Sequence, residues 1–271
     1  MPLALPLPRI LHRLGLRLAV TAGMLSLTIG CSTPADALDS RDVVFENQSY
    51  RVVSIDTRRD AIELHWRDPE TQQPFGTIEA LRAWGEGKGR TLAFATNAGI
   101  YDRQFAPLGL YIEDGKTVVP LNLVHGNPRS GNFSLLPNGV FAIYDDGHAE
   151  VRTSEAFRAA GSKPRVASQS GPMLVIDGQI NPQFDDGSDS MKWRSGVCAK
   201  TPTEVVFVVS RAPVNFHSFA RLFRDEIGCR DALFLDGTIS QAYTAEDGYA
   251  GAPAFMTKPY AGMFAVFTKS E

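Results

Sequence analysis

Three short clusters in this chain combine glycine with small polar residues, each directly after an apolar strand-like run: Thr96-Asn97-Ala98-Gly99-Ile100-Tyr101, Gln169-Ser170-Gly171-Pro172 and Leu235-Asp236-Gly237-Thr238-Ile239-Ser240. A strand end is a rigid place from which to aim such groups. Glycine lets backbone turn with positive φ or approach a ligand closely, while the neighbouring Asn, Asp, Ser and Thr supply hydrogen bonds or acid–base chemistry. Each cluster taken alone is also an ordinary turn signal. Asp236 is the leading acid, because the apolar run Ala232 to Leu235 fixes its direction and Gly237 leaves its carboxylate open to a pocket. Asn97 is expected to orient substrate through its amide, and Gly99 to admit close backbone approach. Ser170 and Gly171 offer neutral contacts, with Gly237, Thr238 and Ser240 on the third edge. Arg194 offers a guanidinium that clamps an oxyanion with paired hydrogen bonds and stays charged throughout turnover. Its plainer alternative is an ion pair with the acids of Asp185-Asp186-Gly187-Ser188-Asp189.

Other chemistries find less support. The Gly-x-Ser-x-Gly elbow is absent and no histidine is placed to serve Ser170 as a base, which argues against a serine hydrolase. The order of the 185–189 run does not match an EF-hand loop, so it reads as a solvated loop. His65, His125 and His148 have no metal-ligand spacing, and His217, at a helix start, is a second-tier candidate. No metal site is expected, and no cofactor is indicated.

Taken as a series, TNAGIYD, PLGLYIEDGK, NGVFAI, SQSGPMLVIDG, WRSGV and ALFLDGTISQAY resemble the phosphodiester glycosidase family over roughly residues 85 to 269. The resemblance implies an α+β fold and hydrolysis of a sugar-1-phosphodiester at the anomeric carbon. Asp236 would be the catalytic carboxylate and Arg194 the phosphate clamp. A second carboxylate, if the reaction uses one, would be Asp102 or Glu113. Two departures bear on the pocket: Ile100-Tyr101 stand where the family commonly has Phe-Phe, and Thr238 stands where it has the second glycine of Leu-Asp-Gly-Gly. The loss of that glycine keeps open a rival reading, a lipoprotein that binds a glycan or glycan phosphate without cleaving it. A further alternative is action on phosphodiesters of other envelope polymers.

The first residues set the expected compartment. Arg9, Arg13 and Arg17 precede an apolar stretch from Leu18 to Ile29 that ends in Gly30-Cys31-Ser32. This is the pattern of a signal peptide with a lipoprotein-like ending, and the stretch is short of the roughly 20 residues a membrane-spanning helix needs. The expectation is an exported, envelope-located protein, processed at residues 1–31 and anchored in the membrane by lipid on Cys31. Residues 32–41 would be a polar tether and residues 42–271 the domain. Of the remaining cysteines, Cys198 and Cys229, the expectation is two unpaired, partly buried thiols. A net charge of −3 with scattered Lys and Arg argues against nucleic acid as a partner; the resemblance implies a glycan or sugar phosphodiester, and the leader implies the membrane.

About 240 residues follow the leader, enough for one core. Short runs rich in β-branched and aromatic residues, such as Tyr50 to Ile55, Ala61 to Trp66 and Gly139 to Tyr144, read as strands. Met173 to Ile176 and Val205 to Val209 are continuously apolar, as buried central strands are. Helical periodicity is expected at Ile78 to Trp84, Ser154 to Ala160 and Phe216 to Ile227. In the last, Phe219, Leu222, Phe223 and Ile227 share a face. The expected fold is a single α+β domain with a mixed, strand-rich β-sheet core and a few flanking helices.

Overall fold

The short β-branched runs pair into three sheets in the computed structural model, which describes residues 38–124, 133–256 and 258–269. The largest sheet runs in the order β1 (Asp39–Phe45), β2 (Gln48–Asp56), β13 (Glu204–Ser210), β12 (Arg194–Thr201), β14 (Ala232–Gly237), β10 (Met173–Ile176) and β11 (Gln179–Ile180). A second sheet orders β16 (Gly248–Gly251), β15 (Gln241–Thr244), β4 (Arg90–Asn97), β17 (Met263–Lys269) and β3 (Ile62–His65). The third orders β6 (Lys116–Val119), β5 (Tyr111–Glu113), β9 (Val166–Ser170), β7 (Gly139–Ile143) and β8 (Ala149–Thr153). The ladders among these strands are antiparallel, so the strand-rich core is divided over three antiparallel sheets.

Period-two alternation explains the layering. On β13, Val205, Phe207 and Val209 enter a central core, while Val206 and Val208 enter a second core on the opposite face. The central core draws on all three sheets, and Phe94, Phe141, Phe207 and Phe264 contact one another within it at centroid distances of 5.1–5.9 Å. Each outer face is covered by a helix. Helix α3 (Phe216–Arg221), continued by a wider π-helical turn (Leu222–Ile227), packs Phe219, Leu222, Phe223 and Ile227 against the first sheet, as the periodicity predicts. Helix α1 (Ile78–Gly87) packs Ile78 and Leu81 on the second sheet, and Phe157 of α2 (Ser154–Ala160) packs on the third. All three begin at side-chain caps: Thr77, Thr153 and Asn215 accept from the backbone N–H of Ala80, Ala156 and Ser218.

Two expectations are corrected here. Cys198 and Cys229 form a disulfide, with Cα atoms 6.2 Å apart and both side chains buried. The reason lies in the register, because Cys198 sits opposite Ala232, only three residues beyond Cys229. Residues 39–41, expected in the tether, already belong to β1 and pair with β2. The leader, Cys31 and most of the tether lie outside the described residues.

Candidate functional site

The three glycine clusters converge, one from each sheet. Asp236 reaches the meeting point through a β-bulge on β14. Phe234 is opposite Gly196 and Asp236 is opposite Ser195, so Leu235 is an extra residue in the ladder. Regular alternation would send Asp236 to the same face as Phe234, toward α3. The bulge turns it instead to the inner face, beside Ser195. Ser170 at the end of β9 donates to the Leu235 carbonyl at 2.9 Å and so pins the bulge.

A directed chain of hydrogen bonds holds the Asp236 backbone. Ser240 Oγ donates to the Asp236 carbonyl at 2.8 Å, which uses the only hydroxyl proton of Ser240. Ser195 must then donate across the 3.0 Å contact to Ser240 Oγ, and Asn97 Nδ2 donates to Ser195 Oγ at 2.9 Å. Asn97 Oδ1 accepts from the Gln241 N–H at 3.2 Å. Buried to 1% exposure, Asn97 therefore links β4 to β12 and β15, with both ends of its amide engaged.

The carboxylate itself is held at one oxygen. Asp236 Oδ1 accepts from the Gly237 N–H at 2.6 Å, whereas Oδ2 is buried with no partner among the described residues. Burial pushes the Asp236 pKa up to about 7, against a smaller lowering by the Gly237 bond. Two phenols sense this carboxylate: Tyr101 and Tyr260 are raised first by their own burial and then by the Asp236 charge. Tyr260 Oη also donates to the Ile239 carbonyl at 2.9 Å and lies 3.2 Å from Gln241 Oε1. Tyr101 stacks on Phe105 with centroids 5.7 Å apart.

The glycines here serve close packing. A Cβ on Gly99 would sit 2.5 Å from the Gln169 carbonyl, and one on Gly171 would overlap Asn138 Oδ1. Gly237, partly buried, pairs with Arg194. Thr238 is exposed, holds φ at +56° and donates its N–H to the Trp193 carbonyl at 2.9 Å. A β-branched residue in the left-handed region is strained, which gives a physical reason for glycine at this position.

Arg194 lies at the same end of β12 and β14 but not beside Asp236. Alternation on β12 sends it toward α3, where its guanidinium stacks on Phe216 at 3.6 Å and is 1% exposed. Nε donates to the Val214 carbonyl at 2.8 Å and Nη2 to the Ser190 carbonyl at 2.9 Å, while Nη1 has no partner among the described residues. Burial lowers its pKa to about 10, so it stays charged at neutral pH, and Asp236 is not among the causes. The Asp185 to Asp189 loop does not pair with it. That loop is tied to the α3 cap instead, through Asn215 Nδ2 and the carbonyls of Asp186 and Ser188.

Neither candidate second carboxylate joins the site. Asp102 Oδ1 accepts from Gln104 and Ala106 in its own turn, and Glu113 accepts from the Trp66 N–H. His217 occupies the first turn of α3. Among the described residues no group of three His, Cys, Asp or Glu side chains is placed to hold a metal. Sequence reasoning passed over Ser195, Tyr260 and Gln241. Ser195 stands in the quoted WRSGV run, whereas Tyr260 follows no motif. Beside the site a cleft of about 400 Å³ opens, with Gln241 and Tyr260 in its lining.

Comparison with known proteins bears on this arrangement. The family described as phosphodiester glycosidase matches residues 90–267. The uncharacterized protein YigE of Escherichia coli K12 is 34% identical over 235 residues, 87% of each chain. The catalytic domain of zebrafish N-acetylglucosamine-1-phosphodiester α-N-acetylglucosaminidase, auto-inhibited by its pro-peptide, superposes with a TM-score of 0.59 at 15% identity. That match covers 87% of this chain and 84% of the zebrafish one. A hypothetical protein from Synechocystis gives 0.55 at 14% identity, covering 85% and 62%.

Proposed function

The chain belongs to the phosphodiester glycosidase family, and from that premise we propose that it hydrolyses a sugar-1-phosphodiester at the anomeric carbon, with Asp236 as the catalytic carboxylate. The observation that carries this reading is the Asp236 carboxylate, fixed at Oδ1 and unpartnered at Oδ2, at the meeting point of three strand ends. The bond from C1 to the phosphate oxygen breaks, and its electron pair leaves with the phosphomonoester. One water supplies the hydroxyl of the released sugar and a proton. Asp236 acts ionised, either attacking C1 or taking the proton of the attacking water, and its charge stabilises the oxocarbenium-like transition state. A phosphomonoester leaves readily, so a strong general acid is less needed than in ordinary glycosidases.

Ser195, Ser240, Ser170 and Asn97 act as positioning residues, since their hydrogen bonds terminate on the backbone that carries Asp236. The phosphate clamp is proposed for one atom of Arg194, Nη1, because Nε and Nη2 already hold carbonyls. A second reading, a glycan-binding protein without turnover, rests on Thr238, whose strained backbone occupies the position of the family's glycine. The proposal also takes the protein to be exported and anchored through Cys31, on the strength of its first 31 residues. Incubation of the protein and of Asp236→Asn with a panel of chromogenic sugar-1-phosphodiesters tests the reaction. Release of sugar by the first and not by the second is expected. Binding without release by both supports the binder.

A further inference from the structure

The cleft next to the site is lined by residues of two kinds. Tyr260 lines the cleft and feels the Asp236 charge, and its hydroxyl lies 3.2 Å from Oε1 of Gln241, another lining residue. Ala252, Pro253, Ala254 and Pro259 make an apolar wall of the same cleft. The wall continues into a short 3₁₀ turn, Ala254–Met256, from which Phe255 projects with 87% of its surface exposed. A single exposed apolar residue needs no explanation, but this one follows directly on Ala254 of the cleft lining, which also includes the partly exposed ring of Tyr249. Lys258 lines the cleft, is exposed and forms no ion pair among the described residues, whereas Arg211 is already paired with Asp42 at 2.9 Å. Glu79, the carboxylate of the lining, is engaged by the Tyr249 hydroxyl. At about 400 Å³ the cleft is the size of a small-ligand site.

Resting on the reaction proposed above, we propose that this cleft receives the leaving group and that the leaving group is the phosphate of a lipid alcohol. The substrate class is then a sugar-1-phosphodiester whose second ester carbon begins a hydrocarbon chain. Cleavage turns a diester with one negative charge into an alkyl phosphate with close to two at neutral pH. Arg194 Nη1, the proposed clamp of the bound diester, does not line this cleft; Lys258, which does, faces the charge that the product gains as it leaves, while the wall at Ala252 to Ala254 and the Phe255 ring hold the first methylenes of the chain. Each methylene taken from water strengthens binding roughly fourfold, so a few suffice for a marked preference.

The test uses the product side, which is measurable whether or not turnover occurs. Methyl phosphate and decyl phosphate, the latter below its micellar concentration, are titrated into the full-length protein, Phe255→Ser and Lys258→Ala, with a melting curve to confirm the fold of each. Decyl phosphate is expected to bind at least about tenfold tighter than methyl phosphate. Phe255→Ser should remove most of that preference and leave methyl phosphate unchanged, and Lys258→Ala should weaken both. Equal affinity for the two phosphates, or a preference untouched by Phe255→Ser, overturns the proposal. The same pair of alcohols in sugar-1-phosphodiesters separates the two ideas. Equal kcat/KM for both retains the reaction and sinks the lipid subsite, whereas a decyl phosphate preference without cleavage of either retains the subsite and sinks the reaction.

Discussion

Asp236 owes its raised pKa to burial and its aim to a single extra residue. With its pKa near 7, it is half ionised at neutral pH, so activity that needs the carboxylate should rise across pH 6 to 8 and be half-maximal near 7. Asp236→Asn should lower kcat by roughly two to four powers of ten. The same change should affect stability with the opposite sign. A carboxyl whose folded pKa lies above its unfolded value binds more protons when folded, so stability is lost as pH rises from the ordinary carboxyl range toward 7. Asp236→Asn should therefore raise the melting temperature at pH 8, by up to roughly 4 kcal/mol in stability at 1.4 kcal/mol per unit, and change little near pH 4. Melting curves at the two pH values check this. An equal effect at both would place the carboxylate in a wetter setting. Arg194 is a different case, since Arg194→Lys keeps the charge but loses the fork that reaches Val214 and Ser190 and the stack on Phe216. A loss of about 1.5–3 kcal/mol is expected from the hydrogen bonds. If Nη1 also holds phosphate, binding of an uncleaved phosphodiester analogue should fall much more than binding of free sugar. Equal weakening of the two ligands assigns Arg194 to structure alone.

At the scale of elements, β12 and β14 carry the site and one disulfide ties them. Arg194 and Ser195 begin β12, Asp236 ends β14, and Cys198 and Cys229 join the first strand to the turn before the second. The bridge spans 31 residues that include α3 and its π-helical turn. In the loop-entropy account a bridge of that span contributes about 3–4 kcal/mol. Replacing both cysteines with serine should lower thermal stability by that order. Dithiothreitol should lower the melting point of the unaltered protein and leave the double variant unmoved. These elements were legible in unequal measure. The apolar runs at Met173 and Val205 announced buried strands, and the i, i+3, i+4 pattern from Phe216 announced a helix, because burial leaves a periodic trace. The disulfide left none, since it depends on which strands are neighbours. The bulge at Leu235 was equally hidden, being a property of the pairing with β12 rather than of either strand.

For the whole molecule, local turn chemistry showed where three strand ends would converge, but only the assembled sheets show how the work is divided. Asn97, Gly99, Ser170 and Gly171 were expected at the substrate, yet their buried bonds and close contacts hold the scaffold together. Tyr260 joins from β17's approach, where nothing in the local sequence marks it, because its role follows from a fold contact with Ile239. The last prediction concerns where this scaffold works. The basic residues Arg9, Arg13 and Arg17, the short apolar stretch and the Gly30-Cys31 ending propose a lipid on Cys31, and a bilayer anchor would raise the local concentration of the protein where a lipid-linked substrate is found. Cys31→Ala should move the mature protein from the membrane to the soluble fraction, or block its processing. It should also slow cleavage of a vesicle-embedded phosphodiester while sparing a water-soluble one, because the anchor acts on local concentration and leaves the chemistry alone. Fractionation, intact mass and the two rates together decide it: an unchanged mass with unchanged membrane partition removes the anchor, and equal slowing of both substrates shows that the substitution has damaged the domain instead.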